Sequence, residues 1–345
     1  MVNRMHVLVP FWGLAGGVIK VLDYADHASH LAPVTLWAHS PVEADSLVHT
    51  LPVMERLLAN DDVSFRDMAS LTSQEVDAAD LLLFTEPTHV AIIDALDIAP
   101  ARIVHLVQGT RHANPNWNEG KNYRLLHRPM HRIAVTEPVA EAIAPHIDRQ
   151  YPSHTVIEGH DVEYFSNPNR AAVRTDRPLR VFYTTWKSDL GDRVARVIRE
   201  SLDYRHSFEF VPVHTPTGWP ALRERYHRAD VFLGAPGPEE GFYLPGLEAF
   251  ASECVLVMAL VGGNAAYCEP GQNMLEASYE DEASHADALR SLITSPSMLT
   301  ELRSAGKETA KQHTLARERR EVVKILRETA ANYDALHATG TRPDA

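Results

Sequence analysis

Ten short apolar runs, each followed by a helix-patterned or polar stretch, constrain the fold of this 345-residue chain more than any other feature. Six lie in the first half: "HVLVP" (6–10), "VTLWA" (34–38), "LLLFTE" (81–86), "IVHLVQ" (103–108), "IAVTE" (133–137) and "HTVIEG" (154–159). Four follow: "RVFYTT" (180–185), "FEFVPV" (208–213), "DVFLGAP" (230–236) and "CVLVMAL" (254–260). Near-continuous apolar strands separated by helices imply parallel sheets covered on both faces. The polar, basic, proline-bearing stretch from Phe165 to Arg180 interrupts the series and reads as a linker. Two α/β halves in tandem are expected, over 1–165 and 166–335. One Arg/Glu-laced helix from Ala316 to Leu336 closes the second half, and a frayed, disordered tail follows over 336–345.

The formal charge of −13 disfavours an electrostatic grip on nucleic acid, without excluding a local basic cleft. Of the 33 basic residues 27 are Arg, which suits bidentate contacts to phosphate or carboxylate. Cys254 and Cys268 form neither a metal spacing nor a disulfide framework, so a cytoplasmic location is expected. No apolar run reaches the roughly 18–20 residues of a membrane span. The opening "MVNRMHVLVPFWG" reads as a first strand and not as a signal peptide.

In open parallel sheets ligands bind at the carboxyl ends of strands. Two strand-to-helix turns there carry candidate chemistry. In "PFWGLAGGVIK" (10–20), Gly13, Gly16 and Gly17 permit close backbone approach to a ligand or simply make a tight turn. Their spacing is not the dinucleotide G-x-G-x-x-G, and no acid follows Trp37 until Glu43. In "PGPEEGFYLPGLEAF" (236–250), Pro245 suits a first helical turn, whose free amides would face an anion. Glu248 can accept two hydroxyl groups, or merely complement a helix N-terminus while Glu239 and Glu240 are solvated.

The string E-G-F-x-L-P-x-L-E-A-F-A, Glu240 to Ala251, resembles the E-x7-E signature of retaining GT-B glycosyltransferases of the glycogen-synthase-like and polysaccharide-assembly group (family 4-like). The flanking "ALRERYHRADVFLGAP" and "ECVLVMALVGGNAAYCEPGQN" resemble that family's neighbouring segments. Gly159, Asp161 and Phe165 resemble its G-x-D and Phe at the domain junction. The resemblance implies two Rossmann-like domains facing across a cleft, acceptor-binding over 1–165 and nucleotide-sugar-binding over 166–335. The last helix is expected to cross back to the first domain.

It further implies retaining transfer of a hexosyl-type sugar from a nucleotide-diphosphate sugar to a hydroxyl acceptor (glycan, lipid-linked or small molecule). The mechanism would be front-face, with the leaving phosphate helping to deprotonate the acceptor. Glu240 would contact the donor sugar and Glu248 the ribose. The amides of Phe242, Tyr243, Leu244, Gly16 and Gly17 would face the diphosphate. The family's strand-end Arg is replaced by Thr184 and Thr185, which leaves Lys187 or Arg193 as the phosphate-binding cation. Gln108, Arg111 and His112 fall near the sugar or acceptor. No D-x-D stands at a strand end, so no metal and no separate cofactor are expected. "HRPMHR" (127–132) reads as a basic or acceptor-facing loop, since Pro129 spoils a helical metal pair. The competing readings are a nucleotide-sugar epimerase of the same architecture and a degenerate, non-catalytic nucleotide- or glycan-binding subunit. A dinucleotide oxidoreductase has the wrong glycine spacing.

Overall fold

A computed structural model describes residues 2–170 and 176–338. The chain forms two compact units, one drawing on Met1–Glu158 and the chain from Ala316 onward, the other on Gly159–Leu315. The boundary therefore lies at Glu158/Gly159, seven residues before the one expected after 165, and the last helix groups with the first unit. That helix runs to Ala338, so the tail expected from 336 begins as helix; 339–345 lie outside the described residues, as do linker positions 171–175.

The first unit holds seven strands: β1 (Met5–Leu8), β2 (Val34–Ala38), β3 (Val63–Asp67), β4 (Leu81–Phe84), β5 (Ile103–Val107), β6 (His131–Ala134) and β7 (Ser153–Thr155). All pairings are parallel, in the order β3-β2-β1-β4-β5-β6-β7. Its helices are α1 (Gly16–Ser29), α2 (Pro52–Leu58), α3 (Val90–Ala95), α4 (Lys121–Leu126) and α5 (Glu137–Ile143). The inner strands β1, β2, β4, β5 and β6 are buried throughout, as both-face coverage requires. Strand β3 is absent from the apolar series because it is an edge strand of half-buried and exposed residues, "VSFRD", with little apolar signal.

The second unit holds α6 (Val162–Phe165), β8 (Leu179–Thr184), α7 (Leu190–Glu200), β9 (Phe208–Val213), α8 (Trp219–Arg228) and β10 (Val231–Leu233). Then come α9 (Leu244–Ala251), β11 (Val255–Met258), β12 (Met274–Glu276), α10 (Glu282–Thr294) and α11 (Pro296–Gln312). Its parallel sheet has the order β12-β11-β10-β8-β9. Alternate residues of β8, Leu179, Val181 and Tyr183, pack with Leu190, Val194 and Ile198 of α7 and Leu289 and Leu292 of α10. Phe182 lies in the aromatic contacts of the other face, 4.9 Å from Tyr226 and 5.4 Å from Phe232 by ring centroid. Strand period 2 against helix spacing i, i+4, i+8 is what assembles this core. The final helix, α12 (Leu315–Ala338), belongs with the first unit apart from its opening residue.

The segment 127–132 is not a basic loop. Its last two residues open β6, and Arg132 is buried, donating to the carbonyls of Leu125, Leu126, Arg128 and Met130 at 2.6–3.2 Å. It caps the C-terminal carbonyls of α4, which explains its burial.

Candidate functional site

In the second unit the strand order reverses between β8 and β10, so the carboxyl ends of those strands border the natural ligand crevice. Beyond β8 the chain presents Trp186 and Lys187; beyond β10 it runs from Gly234 to Glu240. Lys187 Nζ donates to Glu240 Oε1 at 2.5 Å, an ion pair spanning the two strand ends. Lys187 is exposed and the Glu240 side chain is 18% exposed, so the pair stands at the surface with its acid tucked in.

Glu240 is held from behind. The turn after β11 passes so close that a Cβ on Gly263 would lie 2.6 Å from the Glu240 carbonyl oxygen. The Tyr243 amide donates to the Gly263 carbonyl at 3.0 Å. Buried Asn264 shapes that turn, accepting from the Val261 amide and donating to the Ala259 carbonyl, both at 2.8 Å. Tyr243 is buried; its hydroxyl accepts from the Ala235 amide at 3.2 Å, and burial, with the nearby Glu240 charge, pushes its phenol well above the ordinary range. The Tyr267 hydroxyl donates to the Tyr243 carbonyl at 2.6 Å, and a Cβ on Gly246 would meet that hydroxyl at 2.2 Å. Glycine at 246 is thus what lets α9 start where it does.

Three amides at the start of α9 were expected to face an anion. That of Tyr243 is already donated to Gly263, leaving those of Phe242 and Leu244 without a hydrogen bond among the described residues. Phe242 is half-buried, its ring 5.1 Å from that of Tyr267. Glu248, expected to accept from the ribose, is 4% exposed, because it sits in the body of α9 and not at its rim. Its Oε1 lies 3.2 Å from His160 Nε2. The Tyr226 hydroxyl is also close: burial first, then the Glu248 charge, raises its phenol. His160 is itself 1% exposed, stacked on Phe165 at 5.7 Å and edge-on to Trp219 at 5.3 Å.

Arg193 takes no part in the pair at the strand ends. Its guanidinium engages Asp189 at 3.0 Å, Glu282 at 2.8 Å and Glu280, joining the first turn of α7 to the approach to α10. Three carboxylates already surround this cation.

In the first unit the order reverses between β1 and β4. The amides of Gly16 and Gly17 open α1 with no hydrogen-bond partner among the described residues. Gln108, just beyond β5, donates to the Gly17 carbonyl at 3.1 Å, and a Cβ on Gly17 would strike its Oε1 at 2.7 Å. Arg111 lies over the Trp117 ring at 5.2 Å. His112, expected near a ligand, is instead 1% exposed beside the rings of His105 and Trp117, and burial, with Arg111 adding, pushes its pKa down to about 3. It is a neutral packing residue.

No protein-family model matches the chain, and no curated protein matches it. Solved structures do. HepE of Anabaena, crystallised with UDP and glucose, is 14% identical over 94% of this chain and 100% of its own, with a TM-score of 0.70. Sucrose-phosphate synthase of Thermosynechococcus elongatus is 12% identical over 96% of this chain and 100% of its own, with a TM-score of 0.71. The N-terminal domain of Candida albicans trehalose-6-phosphate phosphatase is 7% identical over 95% and 97%, with a TM-score of 0.66. The fold is GT-B. At these identities the fold is what is shared, and the GT-B frame has to be read for chemistry through its own side chains.

Within that GT-B frame the structure joins Lys187 to Glu240 and Gln108 to Gly17, while Arg193 and His112 are committed elsewhere. One partner in this site is not legible in the sequence. His160 lies inside the G-x-D segment, and only tertiary packing puts it against Glu248, 88 positions away. Among the described residues no group of three or more His, Cys, Asp or Glu is arranged to hold a metal ion, and no helix is long and apolar enough to cross a membrane.

Proposed function

We propose that this protein is a glycosyltransferase that moves a hexosyl-type sugar from a nucleoside-diphosphate sugar to a hydroxyl acceptor with retention of configuration. The Lys187–Glu240 ion pair carries the reading: cation and acid span the strand ends where the second sheet reverses, beside the start of α9. The likeness to HepE, crystallised with UDP and with UDP-glucose, supports the choice of donor class.

In this reading the diphosphate takes Lys187 and the Phe242 and Leu244 amides. Glu240, released from Lys187, accepts from the donor sugar's hydroxyls. Glu248, supported by His160 and Tyr226, accepts from the ribose with its remaining lone pairs. The acceptor oxygen bonds to the anomeric carbon on the face the diphosphate leaves. The carbon–phosphate-oxygen bond breaks, and the acceptor proton passes to a departing phosphate oxygen. Catalysis then rests on positioning and on charge stabilisation of the leaving group. Lys187 is the cation assigned to it; Arg193 is assigned to structure.

Titration with UDP, GDP and dTDP, followed by turnover of their sugar conjugates with and without EDTA, tests the reading. Binding of one nucleotide, lost in Glu248→Ala, and EDTA-insensitive turnover with a retained anomer by NMR are expected. No donor turned over, with nucleotide affinity unchanged in Glu248→Ala, would sink it. Interconversion of free sugar nucleotides without transfer would mean an epimerase, and binding without turnover a non-catalytic subunit.

A further inference from the structure

Lys187 stands on the strap 185–189 between β8 and α7, and that strap is fixed at both ends. At one end the Thr185 amide donates to the Val213 carbonyl at 3.1 Å, and the Thr185 hydroxyl lies 2.9 Å from His214 Nδ1. At the other, a Cβ on Gly191 would lie 2.0 Å from the Tyr183 ring, so the first turn of α7 lies flush on β8. The Tyr183 hydroxyl donates to Asp192 at 2.7 Å and fastens that turn. Between these ends Trp186 and Lys187 are exposed. Among the described residues two hydrogen bonds tie 186–189 to elements beyond α7: Lys187 to Glu240, and Ser188, whose Oγ donates to Glu280 Oε1 at 3.1 Å. The first opens when a diphosphate takes Lys187, which leaves the second as the tie that keeps the strap in place.

Glu280 itself is held in an unfavourable backbone conformation. It lies ahead of α10 with a φ of 55°, in the left-handed region that side chains other than Asn and Asp rarely adopt. Arg193 fixes it there, donating through Nη1 to its carbonyl at 3.2 Å and through Nη2 to its Oε2, while Oε1 takes Ser188. The next residue, Asp281, caps α10 by accepting from the Ala283 and Ser284 amides at 2.9 and 3.0 Å, so the helix start does not depend on the Glu280 side chain. Nor does the charge balance of Arg193, which keeps Asp189 and Glu282. A strained residue whose side chain neither cap nor ion-pair network requires points to a role elsewhere, and its remaining partner is Ser188.

We propose that Glu280 is a positioning residue: through Ser188 it holds the strap so that the Lys187 ammonium stands at the strand end where Glu240 meets it. Assigning the leaving diphosphate to that ammonium rests on the glycosyltransferase reading; the tie itself does not. A departing diphosphate carries more negative charge than the intact donor. A displaced ammonium therefore costs more in the transition state than in the ground state, and the loss falls on kcat and not on KM.

The test is donor turnover, thermal unfolding and fluorine NMR on the full chain labelled with fluorotryptophan. Glu280→Asn suits the left-handed backbone but shortens the reach to Ser188 by one methylene. It should lower kcat about tenfold, within the scale of a misplaced group, with KM and melting temperature nearly unchanged. In a Lys187→Ala background the same substitution should add almost nothing, because it acts through Lys187. Glu280→Gln, whose amide oxygen still accepts from Ser188, should keep most of the turnover. The Trp186 resonance, assigned with Trp186→Phe, should shift and sharpen in Glu280→Asn while those of the other four tryptophans stay. If Glu280→Asn does not fold, Ser188→Ala removes the same hydrogen bond and takes its place. Unchanged kcat, an equal loss with and without Lys187, or an unmoved Trp186 resonance would overturn the proposal. A wild type that binds no nucleotide and turns over no donor would end the transferase reading alone, and the Trp186 resonance would still decide whether Glu280 holds the strap.

Discussion

Lys187 and Arg193 illustrate how differently two nearby cations are used. Lys187 is exposed and meets one carboxylate, so its ion pair contributes little to stability, within about 1 kcal/mol. Lys187→Ala should therefore leave the melting temperature nearly unchanged while lowering donor turnover about a hundredfold, the scale of a lost charge-stabilising contact. Arg193 should behave the other way. Removing it leaves Asp189, Glu280 and Glu282 facing one another, so Arg193→Ala should lower the melting temperature by a few degrees and spare nucleotide affinity. Calorimetry and nucleotide titration on both variants decide it; the pattern reversed would move the phosphate role to Arg193. The sequence could name both cations but could not rank them, because two of the three carboxylates that occupy Arg193 come from 87 and 89 positions away.

At the scale of elements, α9 and β10 are held by close contacts more than by propensity. The start of α9 depends on Gly246 lying under the Tyr267 hydroxyl, and its far end on Gly306 of α11, where a Cβ would meet the Phe250 ring at 2.5 Å. Gly246→Ala should cost about 1–3 kcal/mol through overpacking and weaken nucleotide binding by displacing the helix start; full stability would show that the helix is free to shift. Ahead of β10, buried Asp230 accepts from Arg177 at 2.7 and 3.0 Å, from the Arg180 amide at 2.9 Å and from Arg303 of α11 at 2.9 Å. Burial works against its charge, but these partners prevail and its pKa lies below the ordinary carboxylate range. A depressed folded-state pKa gives stability present above the unfolded value of about 4 and lost as pH falls through the folded value. Asp230→Asn should thus lower stability at neutral pH by about 3 kcal/mol and flatten the acid limb of the stability profile. Denaturant titrations from pH 7 down to pH 3 check both; an unchanged acid limb would remove Asp230 as its source.

The whole molecule is built from one discontinuous and one continuous unit. In the first, buried Lys20 of α1 meets Asp23 at 2.9 Å and Glu318 of α12 at 2.7 Å, and His27 meets the same Glu318 oxygen at 3.0 Å. Burial opposes the Lys20 charge, but Asp23 and Glu318 outweigh it and hold the ammonium protonated. A buried pair broken on one side costs about 3–5 kcal/mol, whereas replacing both sides by apolar groups is often close to neutral. Glu318→Leu should therefore destabilise strongly, and Lys20→Met added to it should recover much of the loss in a double-mutant cycle. Residues 159–315 expressed alone should fold, while 1–158 alone, lacking the partner of Lys20 and His27, should not. Circular dichroism and proton NMR of the two fragments check this. A cooperatively folded 1–158 would show that α12 is dispensable.

The sequence by itself determined the alternation of apolar strands and helices, hence two parallel α/β units, and the helix start at Pro245 with acids at 240 and 248. These follow from period, proline placement and spacing, all legible within about ten residues. Edge strand β3 stayed hidden because half-exposed residues give no apolar run. Tertiary structure alone decided that Lys187 meets Glu240 across 53 positions, that His160 meets Glu248 across 88, and that α12 belongs to the first unit. Strand order brings such residues together, and strand order is set by long-range packing, which no local pattern records.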